Sequence, residues 1–84
     1  MQDWKVYIIR CDDDSLYTGI STDVEKRFEQ HLNKKGAKYF YARSPVEILY
    51  IEDGHDRSSA TKRELEIKKL NKSAKQVLIE VSKT

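Results

Sequence analysis

The chain has 84 residues, 16 of them Lys or Arg and 14 Asp or Glu, for a formal charge of +2. That length points to a single domain over residues 1–84 with a small core, because a chain this short buries only about 60% of its unfolded surface. No apolar run nears the roughly 18–20 residues of a membrane span. Cys11 is the only cysteine, which excludes an intrachain disulfide and a cysteine-based zinc site. The opening MQDWKVYIIRC has no basic segment followed by a long apolar one, so no secretory signal and a reducing cytoplasm are expected.

In chain order, WKVYIIR (4–10) is rich in β-branched and aromatic residues and predicts a strand. CDDDS reads as a turn, and SLYTGI (15–20) as the second strand of an antiparallel hairpin. Thr22-Asp23-Val24-Glu25 matches a capping box with Thr22 as N-cap, opening a helix from about Asp23 to Lys34. Helical spacing gives that helix an inward stripe of Val24, Phe28, His31 and Leu32, with Arg27 on its flank, and Gly36 is placed to end it. The segment AKYFYARSP mixes basic and aromatic residues ahead of a third strand, VEILYIE (46–52). DGHDRS reads as a loop. A second helix is predicted from about Ser59 to Leu70, and Ser73-Ala74-Lys75-Gln76 caps a short third one carrying Val77, Leu78 and Val81. The order is β-β-α-β-α-α, an α+β arrangement of one small three-stranded sheet flanked by helices.

The net charge conceals two basic segments. Six basic residues between Lys26 and Arg43 face one acid, Glu29, and seven between Arg57 and Lys75 face Glu64 and Glu66, so each segment carries +5. Segregation of this kind suits a polyanionic partner, with a merely solvated basic face as the alternative. Lys38, Arg43 and Arg63 are the candidate nucleic-acid contacts, and Tyr39, Phe40 or Tyr41 could stack on bases or fill the core beneath a loop.

Strand alternation puts Tyr7 and Tyr17 on one face of the hairpin. They stand directly opposite if the turn centres on Asp12 and diagonal if it centres on Asp13. Their phenols could share a ligand or simply pack. Gly19, near the end of the second strand, suggests close approach by a ligand or a neighbouring element, or a bulge. Arg27 and His31 are an i, i+4 pair. The guanidinium can grip two phosphate oxygens and the imidazole can accept a proton near neutral pH, unless His31 is a buried, hydrogen-bonded core residue. Glu64 lies on the inner flank of the second helix, where a carboxylate wants a metal or a base. A capping box with Thr61 and a surface pair with Lys68 are the structural alternatives.

Together these residues resemble the GIY-YIG endonuclease superfamily. The likeness rests on Val6-Tyr7, then Tyr17-Thr18-Gly19, then Arg27 and His31 on the next helix and Glu64 on a later one. Tyr17–Ile20, Gly36–Tyr39 and Arg57–Leu70 are similar to the small stand-alone bacterial branch. The resemblance implies a three-stranded antiparallel sheet with helices, and hydrolysis of phosphodiester bonds in nucleic acid, with DNA expected, in repair or processing. It implies one divalent ion, Mg²⁺ or Mn²⁺, at Glu64. It makes Tyr7, Tyr17, Arg27, His31 and Glu64 the catalytic set, with Arg27 on the phosphate and one tyrosine on the attacking water. Ile20 stands where several members carry a lysine, and His31 could take over its influence on the tyrosine. A nucleic-acid-binding module without catalysis is the alternative reading.

Overall fold

The computed structural model describes residues 3–35 and 37–83. Three strands, β1 (Trp4–Cys11), β2 (Leu16–Ser21) and β3 (Pro45–His55), form an antiparallel sheet in the order β2-β1-β3. Three helices, α1 (Val24–Leu32), α2 (Arg57–Lys68) and α3 (Lys72–Ser82), and a 3₁₀ turn over Lys38–Tyr41 cover it. The element order and sheet topology are those expected from the sequence. Among the described residues no helix is long and apolar enough to cross a membrane.

β1 is the centre of the molecule because it is apolar on both faces. Val6 and Ile8 point to one side and pack with Tyr50, Ala60, Ile67 and Ile79 beneath α2 and α3. Tyr7, Ile9 and Cys11 point to the other and pack with Val24 and Phe40 beneath α1 and the 3₁₀ turn. The hairpin register pairs Tyr7 with Gly19 and Ile9 with Tyr17. The turn therefore centres on Asp13, and the two tyrosines are diagonal neighbours.

The helix ends differ from the sequence expectation in ways that local hydrogen bonds explain. Asp23, not Thr22, caps α1, its carboxylate accepting from the Lys26 N–H at 3.1 Å. The helix stops at Leu32 because Lys34 takes a left-handed φ of 60°. The Lys34 N–H then reaches the His31 carbonyl at 3.1 Å and the Lys35 N–H the Gln30 carbonyl at 2.8 Å, a Schellman closure on a lysine. The expected stop at Gly36 lies outside the described residues. Leu32, expected to face inward, is 47% exposed, and Phe40 from the 3₁₀ turn fills the core beside α1 instead. α2 begins two residues before Ser59, since Asp56 accepts from the Ser59 N–H at 2.8 Å while the Ser59 hydroxyl accepts from the Asp56 N–H at 3.2 Å. It ends at Lys68, so Leu70 falls beyond the helix and is exposed. Asn71, rather than Ser73, caps α3 through the Ala74 N–H at 2.8 Å. β3 continues through the expected loop because Asp53 and Gly54 form a bulge between the Trp4–His55 and Val6–Glu52 pairs. Gly54 takes φ 79° there and donates its N–H to Asp3 Oδ1 at 2.9 Å.

Gly19 needs no ligand to explain it. A Cβ at that position would lie 2.5 Å from Tyr7 Oη and 2.7 Å from Tyr7 Cζ. The Tyr7 ring lies across the backbone of β2, and only glycine leaves room. Because that ring is buried, it cannot swing away. Gly19→Ala should therefore cost about 1–3 kcal/mol, the range for overpacking a filled core. Urea denaturation of the variant against the parent measures it, and an unchanged midpoint would mean that the ring relocates freely.

Candidate active site

Four polar side chains from the sheet and two helices, Tyr17, Arg27, His31 and Glu64, act on Tyr7. Tyr7 is 1% exposed, and its Oη is hydrogen-bonded to His31 Nε2 at 3.0 Å. His31, from the third turn of α1, is fully buried and stacks on Phe40 with ring centroids 4.2 Å apart. Its Nδ1 has no hydrogen-bond partner among the described residues. Tyr17 stands half-buried, its ring centroid 6.3 Å from that of Tyr7, 5.3 Å from His31 and 4.8 Å from Phe40. Tyr39 closes the outer side of this aromatic group, 5.1 Å from Tyr17.

Arg27 and Glu64 bring opposite charge to the same two phenols. Burial and the neighbouring Tyr17 push the Tyr7 phenol well above its ordinary value, Glu64 adds to the rise, and Arg27 opposes it. Tyr17 is raised for the same first reason, burial, with Arg27 again opposing and Glu64 reinforcing. The Arg27 guanidinium is held from behind, its Nη1 donating to Gln30 Oε1 at 2.9 Å. Glu64 is largely covered, its side chain 17% exposed, and pairs with Lys68 at 3.3 Å. The surface pair with Lys68 thus forms. The capping box with Thr61 does not, because Thr61 lies inside α2 with its hydroxyl donating to the Arg57 carbonyl at 2.8 Å.

His31 departs from the expectation that it accepts a proton near neutral pH. Burial first, and the Arg27 charge second, lower its midpoint to about 4. At pH 7 it is neutral, and it serves as a hydrogen-bonded core group that fixes the Tyr7 phenol.

The expected nucleic-acid contacts divide. Lys38 is exposed on the 3₁₀ turn. Arg43 is engaged internally: its Nε donates to Asp13 at 2.8 Å and its guanidinium lies 4.1 Å from the Tyr39 ring centroid. Arg63 Nε donates to both carboxylate oxygens of Glu52, at 3.1 and 3.2 Å. Phe40 is fully buried and Tyr39 half-buried, so these two fill the core, while Tyr41 is 63% exposed. The sequence reading missed Gln30, although its place one turn beyond Arg27 is a visible signal for a supporting hydrogen bond. It also missed Glu52, which gathers Arg63, His55 at 2.7 Å and the Tyr50 hydroxyl. Tyr50, two residues before Glu52 on β3, is a spacing the sequence shows, whereas Arg63 comes from α2, 11 residues on.

The model of the GIY-YIG catalytic domain matches residues 3–77. The chain belongs to the GIY-YIG family. Among its curated relatives is the UPF0213 protein DP2720 of Desulfotalea psychrophila, 45% identical over 80 residues, covering 94% of this chain and 73% of that protein. The UPF0213 protein SSP2268 of Staphylococcus saprophyticus is 47% identical over 74 residues, covering 88% of this chain and 90% of that one. The solution NMR structure of the UPF0213 protein BH0048 from Bacillus halodurans superposes with a TM-score of 0.60 at 35% identity, over 94% of this chain and 84% of that chain. Membership places the chain in a nuclease family and implies nucleic-acid binding.

The depressed His31 midpoint has a measurable consequence. Its ordinary value is 6.5, so between pH 6.5 and about 4 the unfolded chain takes up a proton that the folded chain refuses. The stabilisation linked to neutral His31 is complete above pH 6.5 and declines as pH falls towards 4, by up to about 3 kcal/mol. An NMR titration of the His31 ring protons should give a midpoint near 4, and a midpoint near 6.5 would show an imidazole open to water.

Proposed function

We propose that this GIY-YIG domain is a metal-dependent endonuclease that hydrolyses phosphodiester bonds in nucleic acid, with DNA as substrate, in a repair or processing step. The observation that carries the reading is the joint action of Arg27 and Glu64, from separate helices, on the Tyr7 and Tyr17 phenols. A cation and an anion acting on the same pair of hydroxyls suit a phosphate whose charge must be gripped and then stabilised.

Arg27 binds the scissile phosphate, with Gln30 fixing its plane so that two N–H groups converge on two oxygens. Glu64 supplies the carboxylate for one Mg²⁺ or Mn²⁺. Among the described residues no three His, Cys, Asp or Glu side chains gather as a metal cluster. A single carboxylate suits an ion that keeps several waters and shares a substrate phosphate, as Mg²⁺ commonly does. When bound, that ion supplies positive charge to the phosphate and the leaving oxygen. Lys68, the more exposed member of the i, i+4 pair, must release Glu64 for this.

The two tyrosines divide the remaining work. Tyr17 is the more open of the two and is suited to orient the attacking water beside the phosphate. Tyr7, buried against Gly19 and bonded to His31, holds the floor of the hollow. Neither phenol ionises readily at neutral pH without a ligand, since burial raises both. Orientation of water, rather than abstraction of its proton by a free phenolate, is therefore the role that fits Tyr17 in the unliganded state.

Cleavage of supercoiled plasmid and branched DNA in Mn²⁺ tests the reading. Arg27→Ala and Glu64→Ala should each lower the rate by about 10²-fold or more, as loss of a charge-stabilising group commonly does. Equal cleavage by the parent and both variants would reveal a contaminant. Salt-sensitive binding with no products in any metal would reduce the protein to a nucleic-acid-binding module.

A further inference from the structure

An open cleft of about 520 Å³ adjoins the candidate site, lined by Trp4, Ile20, Ser21, Lys26, Arg27 and Gln30 among others. Arg27, which acts on the two phenols, and its partner Gln30 both line this cleft. Where the candidate site takes a phosphate, the cleft extends from the same guanidinium along the edge of β2 to the indole of Trp4.

The cleft has the chemistry of a nucleotide and not of a bare ion. Lys26 lines it and has no ion-pair partner among the described residues. Among the described residues that line it Asp23 is the single acid, and its carboxylate accepts from the Lys26 N–H as the α1 cap. The wall therefore carries two cations, Lys26 and Arg27, against one committed acid. At the far end Trp4 offers an aromatic surface. It is half-buried, packs on the core at its base, and carries the Arg57 guanidinium over one face, 5.7 Å from its ring centroid, which leaves the other face for a base. An indole anchored in this way loses little freedom when a base stacks on it. Ser21, Thr22 and Gln30 supply hydrogen-bonding groups between cation and ring. The volume is ample for one nucleotide.

We infer that this cleft is a subsite for the nucleotide flanking the scissile phosphate, with Trp4 stacking on its base and Lys26 holding its distal phosphate. The inference rests on the nucleic-acid reading of the neighbouring site and adds a second contact point to it.

Trp4 is the only tryptophan in the chain, so its emission reports on this cleft alone. The experiment titrates the full chain, in EDTA to prevent cleavage, with a fluorescein-labelled eight-residue oligothymidylate for anisotropy. A parallel titration uses the unlabelled oligomer, and emission from Trp4 is read. Anisotropy and quenching should saturate at the same concentration. Lys26→Ala should weaken binding several-fold and lower the slope of log K against log salt by about one phosphate contact. Trp4→Ala should weaken it about tenfold, within the range for loss of one base stack. Because Trp4 also packs on the core, Trp4→Phe and a thermal melt accompany it. An abasic oligomer of the same length should bind without quenching. Anisotropy that rises while emission stays constant, with Lys26→Ala binding like the parent, overturns the subsite and leaves the nuclease reading standing. No anisotropy change with the parent at low salt removes the nucleic-acid reading, and the subsite with it.

Discussion

The buried hydrogen bond between Tyr7 and His31 is the constraint around which the rest of the molecule is arranged. It joins the central strand to α1 across 24 residues of sequence. A phenol in that place requires glycine opposite it on β2, because a side chain at position 19 would occupy the same space. It also requires His31 to stay neutral, since a charged imidazole at zero exposure would have no counter-ion. Phe40, delivered by the 3₁₀ turn, completes the enclosure by stacking on that imidazole. Tyr17, Arg27 and Glu64 are then held on the rim of a filled core, and their separation is set by packing rather than by loop conformation.

The distribution of charge follows a similar logic of internal use. Both segments that carry an excess of +5 in the sequence lose part of it to pairs within the fold. Arg43 is taken up by Asp13, Arg63 by Glu52 and Lys72 by Asp14. Exposed pairs of this kind contribute little to stability, about 0–1 kcal/mol each, but they decide which cations face outward without a partner. Lys26 and Arg27 lie side by side in sequence, line one cleft, and make no ion pair with the described residues. The unpaired positive charge is therefore smaller than composition suggests, and part of it lines this cleft.

Much of this was legible in the chain itself. The alternation of WKVYIIR and SLYTGI yields the hairpin and the shared face of the tyrosines, because a strand's side-chain period leaves no other arrangement. Helical spacing puts His31 on the inner side of α1 and Arg27 on its flank, as found. What could not be read depends on contacts between distant segments or on competition between adjacent groups. Asp23 and Thr22 are both good caps, and the choice fell to the one whose carboxylate reaches Lys26. Gly54 looks like a loop glycine, and becomes part of a strand because Asp3, far away in sequence, accepts its N–H. Arg43 and Arg63 look like free cations because Asp13 and Glu52 lie 30 and 11 residues away. His31 carries no sequence sign of its depressed midpoint, which arises from burial under Phe40.

Hydrolysis of the proposed kind requires a divalent ion at Glu64 beside Tyr17 and Arg27. Paramagnetic broadening of amide NMR signals during a Mn²⁺ titration measures this directly. Signals of Glu64 should broaden first, followed by those of Arg27 and Tyr17, while residues of α3 persist. Broadening that begins in the acidic turn at Asp12, Asp13 and Asp14, with Glu64 unaffected at the same concentration, would contradict it.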